Sequence, residues 1–204
     1  MEVEEITLNA VTELISKLSF SKEGEEWESA ATPEGDVVAA IDCTQDEAIL
    51  SAGKARELIT QIQQLRKSAG LEMKDVVESF FNETGDSTES AVSMNVPLFE
   101  SKFQGSVPMP KRFAPSWSVE IASETVEIGG DSLEVSICRP ALAAKDGLAE
   151  SACAYLSTVN PTTVEQGSTL TCDVNGESMT LKEGEDFWLS TTAKMRGTNG
   201  LSWL

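Results

Sequence analysis

The chain has no histidine, which removes the side chain that most often serves as general base, nucleophile orienter or zinc ligand near neutral pH. Most familiar hydrolytic constellations go with it. Gly-x-x-x-x-Gly-Lys-Ser/Thr, Gly-x-Gly-x-x-Gly and Gly-x-Ser-x-Gly segments are also missing, so phosphate cradles and nucleophile elbows have no candidate. No stretch of about 18 apolar residues occurs, and Met1-Glu-Val-Glu-Glu5 is acidic where a secretory leader is cationic. Neither secretion nor a membrane span is expected. Cys43, Cys138, Cys153 and Cys172 form no Cys-x-x-Cys pair and sit in apolar or alternating runs, the pattern of small buried thiols in a reducing, cytosolic setting. Carboxylates crowd Glu23 to Glu28, but in a solvated acidic loop with one aromatic, Trp27, nothing would desolvate them and split their pKa values, so no catalytic residue and no metal site is assigned.

Positive charge is scarce as well. Lysine and arginine number 15 against 34 acids, a formal net charge of -19, and phosphate binding draws on a basic surface. The deficit is uneven. Residues 1 to 50 carry Lys17 and Lys22 against 13 acids, whereas residues 51 to 75 carry Lys54, Arg56, Arg66, Lys67 and Lys74 against Glu57, Glu72 and Asp75. The second stretch is a basic island, too small to hold RNA tightly without a larger partner or parent chain, since affinity scales with the phosphates neutralised.

With 204 residues the chain can bury a sizeable core. Residues 5 to 22 fit either a helix or, our preference, a strand ending at Phe20; Glu23 to Gly35 reads as an acidic loop and Val37 to Cys43 as a short buried strand. Thr44-Gln-Asp-Glu47 has the form of a capping box. Ile49, Ala52, Ala55, Ile59, Ile62 and Leu65 then recur at helical spacing, Arg66 and Lys67 occupy the last turn, and Gly70 supplies the stop. A strand over Met73 to Phe81, a polar loop over Asn82 to Ser93 and a short helix capped by Asn95 follow. Val107 to Pro115 reads as an extended, proline-punctuated linker, in which Lys111 and Arg112 beside Phe113 are a cationic and aromatic RNA candidate. Beyond it, Trp117 to Ile121, Thr125 to Ile128 and Leu133 to Cys138 alternate like strands, with Gly129-Gly130 as a turn. Ala152 to Val159 reads as a strand, Thr169 to Leu181 as a hairpin about Asn175-Gly176, and Glu185 to Met195 as a helix ended by Gly197. Trp117, Trp188 and Trp203 are expected in β cores. The fold class is α+β: a long amphipathic helix on a small mixed or antiparallel sheet over residues 1–140, then a smaller β-rich module over 141–204.

The run Ala52-Gly-Lys-Ala-Arg-Glu-Leu-Ile-Thr-Gln-Ile-Gln-Gln-Leu-Arg-Lys-Ser-Ala-Gly-Leu-Glu-Met-Lys-Asp75 resembles the C-terminal tRNA-binding region of eukaryotic cytosolic isoleucine-tRNA ligases. The resemblance continues through Gly35-Asp-Val-Val-Ala-Ala-Ile-Asp42, Gly130-Asp-Ser-Leu-Glu-Val-Ser-Ile137 and Ala152-Cys-Ala-Tyr155. It implies a non-catalytic part of such a ligase that positions the anticodon end of tRNA-Ile, with Arg56, Gln61, Gln64, Arg66 and Lys67 at the matching positions. Cations there would meet phosphates, and glutamines the sugars or base edges of an unpaired loop; Arg66 and Lys67 also suit a plain helix C-cap. The family's two catalytic signatures, His-x-Gly-His and Lys-Met-Ser-Lys-Ser, are absent, and Lys194-Met-Arg-Gly-Thr198 is a chance likeness. No cofactor is therefore expected, ATP entering only through a catalytic half. The implied partners are tRNA-Ile and that catalytic half or other proteins of a synthetase complex, in the cytoplasm, with no role for DNA or membrane. Residues 168 to 196 resemble the opening half of a ubiquitin-like docking module. The competing reading is an acidic protein-protein interaction module that keeps the fold without RNA binding.

Overall fold

A computed structural model describes residues 27–31, 38–42, 46–83, 85–174 and 176–199. They fall in two compact units, residues 1–50 and 51–204. In the first, β1 (Trp27–Ala31) pairs antiparallel with β2 (Val38–Asp42), Trp27 opposite Asp42. The second strand is the one expected from Val37 to Cys43; the first corrects the loop assignment for residues 23–35, because a run that looked solvated supplies the ladder partner that β2 needs. The choice between helix and strand for residues 5–22 lies outside the described residues, as do Thr44 and Trp203.

The long helix α1 (Glu47–Ser68) starts at Asp46, whose Oδ1 accepts the amide of Ile49 at 2.7 Å. The acceptor is one short step from the threonine expected, because Asp46 sits three residues before Ile49, where a side-chain oxygen can satisfy a free first-turn amide. The helix ends in a paired carbonyl lock: Leu71 N donates to Arg66 O at 3.0 Å and Gly70 N to Lys67 O at 3.1 Å, with Gly70 at φ 73°, a left-handed turn that only glycine adopts without strain. Ala55, Leu58, Ile59, Ile62 and Leu65 face inward as the spacing predicts, but Ile49 is 56% exposed, so the buried stripe begins two residues later, at Ser51.

That stripe packs on a four-stranded mixed sheet of order β4-β3-β6-β5, built from β3 (Glu78–Glu83), β4 (Met109–Pro110), β5 (Glu120–Ile128) and β6 (Asp131–Cys138). Strand β3 runs antiparallel to β6 and parallel to β4. Alternation divides the sheet's faces: Phe81, Leu133, Val135 and Ile137 join α1, Val92 and Phe99 in one apolar cluster, while Phe80, Met109 and Cys138 turn to the other face and meet Met195. At the β5–β6 tip Gly129 and Gly130 have φ 56° and 86°, as a tight hairpin turn requires. Gly129 N donates to Glu57 Oε2 at 2.9 Å, and Lys54 Nζ reaches Asp131 at 2.7 Å and Ser87. The turn thereby grips the first half of α1; a Cβ on Gly129 would lie 2.4 Å from the Lys54 chain.

Five expectations for this region are corrected. Strand β3 starts at Glu78 rather than Met73, because residues 73–75 form the turn that follows α1. The polar segment 82–93 contains helix α2 (Ser87–Met94), which buries Thr88, Ala91 and Val92 at helical spacing and whose first amides are capped by the Glu83 carboxylate, Thr88 N at 3.0 Å and Glu89 N at 3.0 Å. The presumed linker is buried: Val107 to Pro110 are inaccessible, β4 pairs with Phe80 and Phe81, and Lys111–Phe113 form a 3-10 turn. Proline is tolerated there because β4 is an edge strand and needs no second donor row. Helix α3 (Val96–Lys102) matches its expectation with Phe99 fully buried, but Asn95 uses its amide to reach Ser51 Oγ and Ala91 O rather than to cap. The strands expected at 117–121 and 125–128 are one strand, β5, which starts only at Glu120 because residues 116–117 form a turn, and which carries an irregularity between Glu120 and Ala122.

A second apolar cluster begins near residue 140, inside the same compact unit. There β7 (Ala143–Ala144) pairs antiparallel with β10 (Phe187–Trp188), and β8 (Thr169–Val174) with β9 (Glu177–Lys182) about the expected turn. Residues 152–159, expected as a strand, belong to helix α4 (Glu150–Thr158), whose Ala152 and Leu156, four apart, enter the cluster with Leu142, Cys172, Leu181 and Phe187. The last helix, α5 (Thr191–Asn199), starts beyond the expected one because Phe187–Trp188 form a strand, and it runs through Gly197. Helices with small mixed and antiparallel sheets make the chain α+β. Trp188 is buried, and Trp117 packs half-buried on the second cluster.

Cys138 lies under the sheet, and burial pushes its thiol up to about 11, so the nucleophilic thiolate is scarce at neutral pH. Cys153 is half-buried. A brief iodoacetamide pulse on native protein at pH 8, read by mass spectrometry, should therefore label Cys153 well ahead of Cys138 and Cys172; faster labelling of Cys138 would contradict the packing described.

Candidate nucleic-acid interface

Helix geometry sorts the five helix residues singled out by sequence. At 100° per residue, Arg56, Thr60, Gln64 and Lys67 lie within an arc of roughly 80° and extend about 16 Å along α1. All four are exposed. Gln61 stands half-buried at the edge of this stripe. Thr60 Oγ1 donates to the Arg56 backbone carbonyl at 2.9 Å, a bond that does not involve the exposed Arg56 side chain.

Arg66 points the other way. It is 8% exposed, and its Nη2 donates to the carbonyls of Glu72 and Asp75, each at 2.9 Å, with Met73 O at 3.5 Å. The guanidinium thus ties the turn after α1 to the helix end, where the dipole favours a cation. Lys111 and Arg112 are drawn into ion pairs: Lys111 Nζ lies 2.9 Å from Glu134 and 3.7 Å from Glu120, and Arg112 Nη2 donates to both Glu89 oxygens at 2.6 and 2.7 Å while lying over Phe113, 4.7 Å from the ring centre. The Glu134 hydrogen bond holds the Lys111 ammonium above its ordinary pKa.

Carboxylates of the chain also occupy Lys54, Lys74, Lys182, Lys194 and Arg196, the last on Glu100. Among the described residues, Arg56, Lys67, Lys102, Arg139 and Lys145 are the exposed cations that have no ion-pair partner. Two of those five are on the α1 stripe, so the only part of the helix surface with unopposed cations is the face that its spacing left off the core. No group of histidine, cysteine or carboxylate side chains among the described residues is arranged to hold a metal, and no described helix is long and apolar enough to cross a membrane.

The signal that sequence reading missed is Glu78. Its carboxylate accepts Thr191 N at 2.6 Å and Ala141 N at 3.3 Å, joining β3 to the start of α5. Burial raises its pKa above the ordinary 4.5, and the hydrogen bonds from Thr191 and Ala141 only partly offset that. Between 4.5 and the raised value the folded state binds more protons than the unfolded chain, so the stability linked to this group is full below about 4.5 and is lost as pH rises through the folded value. Glu78→Gln keeps a carbonyl for Thr191 N and cannot ionise. Its unfolding midpoint relative to the parent should accordingly climb as pH increases from 4 to 7, and a difference independent of pH would contradict this.

Half of the chain has relatives among the aminoacyl-tRNA ligases. They are isoleucine-tRNA ligases: the cytoplasmic enzyme of Arabidopsis thaliana is 34% identical over 123 residues, 53% of this chain and 10% of the ligase. The cytoplasmic ligase of Schizosaccharomyces pombe is 31% identical over 108 residues, 52% of the chain and 10% of the ligase, and the probable cytoplasmic ligase of Dictyostelium discoideum is 29% identical over 109 residues, again 53% and 10%. The matching half is homologous to a region of these ligases, and the match spans about a tenth of their length. No protein-family model matches the chain.

Proposed function

We propose that the chain serves as a non-catalytic C-terminal portion of an isoleucine-tRNA ligase in the cytoplasm, helping to bind and position the anticodon end of tRNA-Ile for aminoacylation by a catalytic portion that supplies the ATP chemistry. The observation that carries the reading is the exposed α1 stripe, where Arg56 and Lys67 stand without carboxylate partners among the described residues in a chain of net charge -19; homology to isoleucine-tRNA ligases over half the chain supports the choice of tRNA. Arg56 and Lys67 meet phosphates, and Gln64, with Gln61 beside it, reaches sugar or base edges. Arg66 holds the surface in shape. Lys111 and Arg112 contribute only when RNA displaces Glu134 and Glu89. Ribonuclease footprinting of tRNA-Ile bound to the chain joined to its catalytic portion tests this: protection of the anticodon arm that disappears on deleting the chain is expected, and protection confined to the acceptor arm would overturn it.

The second reading, an acidic protein-protein module, is favoured by a specific observation: carboxylates of the chain cover most of its described cations, as on a surface arranged to limit phosphate contact. Capture of synthetase-complex proteins by a chain whose mobility tRNA does not shift would select it.

A further inference from the structure

Three segments far apart in sequence, the 3-10 turn after β4, the loop after β7 and helix α5, enclose a cavity of about 370 Å³ whose walls include Arg112, Phe113, Trp117, Lys145 and Lys194. The volume is within the range of small-molecule sites. Arg112 is held by Glu89 and Lys194 by Asp146, itself in the wall, which leaves Lys145 as the wall's cation without an ion pair among the described residues; with two aromatic rings beside these cations, the hollow suits a ligand that is both planar and anionic. The Arg112 guanidinium stacked at 4.7 Å over Phe113, with Trp117 nearby, offers flat surfaces on which a base can stack. Lys145 is exposed and has no carboxylate partner among the described residues. Lys194 has one, Asp146 at 2.6 Å, but that carboxylate side chain is 95% exposed and readily gives way to a more highly charged anion. The cavity between α3 and α5 also holds Arg66, Lys102 and Arg196, but two carboxylates, Asp75 and Glu78, stand in its wall, against the single Asp146 here.

We propose that the cavity is a nucleotide-binding site, with the base against the Arg112–Phe113 stack and Trp117 and the phosphate against Lys145 and Lys194. The site lies apart from the α1 stripe and does not depend on it. The nucleotide comes either as one unstacked residue of a single-stranded RNA or as a free monophosphate. The test titrates the four nucleoside 5′-monophosphates, their nucleosides and inorganic phosphate into the full chain, read by saturation transfer from protein to base protons and by competition. Monophosphates are expected to bind more tightly than nucleosides or phosphate, and Lys145→Glu to weaken them by about tenfold or more through like-charge repulsion. Lys194→Ala, whose melting temperature is measured alongside because the Lys194 side chain is only 19% exposed, should weaken them in the same direction. Displacement of the monophosphate by a short single-stranded oligoribonucleotide supports the RNA source, and its failure to displace supports the free nucleotide. No transfer to any monophosphate, or transfer indifferent to both substitutions, would overturn the site. If that occurs while salt-sensitive tRNA binding persists, the pocket falls and the α1 surface stands; the reverse pattern removes the α1 surface alone.

Discussion

Arg66→Ala lowers the unfolding free energy by about 3 kcal/mol and leaves the salt dependence of tRNA binding where it was. The substitution strips the carbonyls of Glu72 and Asp75 of their donor in a part-buried turn, and charge-assisted bonds of this kind contribute roughly 1.5–3 kcal/mol each. The expected drop in melting temperature is roughly 6–12 °C for a chain of this size. Residues 72–75 lead into β3 and brace one wall of the cavity between α3 and α5, so the loosened turn should also show faster amide exchange there than elsewhere. A stable variant with a shallower salt slope would mean that Arg66 leaves its carbonyls and meets phosphate.

Changing Arg56 and Lys67 together to Ala gives the opposite signature. Each is exposed and without an ion pair among the described residues, so stability should move by no more than about 0.5 kcal/mol. If each neutralises one phosphate, the slope of log affinity against log salt becomes shallower by about 2. Parallel melts and binding isotherms at several salt concentrations separate the two cases. An unchanged slope in this double variant would take the α1 stripe out of the interface.

The division between Arg66 and its neighbour Lys67 shows what sequence can and cannot reveal. Periodicity exposes the long helix, its inward apolar positions and the glycine that ends it, because those depend on local spacing and backbone freedom. It cannot tell which of two adjacent cations folds back, since that is decided by carbonyls six to nine residues away that the turn presents only after folding. The hairpin over residues 169–182 and the Gly129-Gly130 turn were legible for the same local reason. Helix α4 was not: in Ala152-Cys-Ala-Tyr-Leu156 the buried pair 152 and 156 satisfies a period of two as well as a period near four, and only the shape of the second cluster selects the helix. Val107 to Pro110 look like a linker because proline marks breaks, but here an edge position beside Phe80 and Phe81 makes the missing donor harmless. The nucleotide cavity draws on residues 112 to 194 and has no compact motif to read.

Filter retention of tRNA-Ile and of an unrelated tRNA by the full chain, at low and at physiological salt, tests the central claim most directly. The account predicts salt-sensitive retention that favours tRNA-Ile, weak in absolute affinity because few phosphates are neutralised and falling toward physiological salt with a correspondingly small slope. Absence of retention of either tRNA at low salt would contradict it.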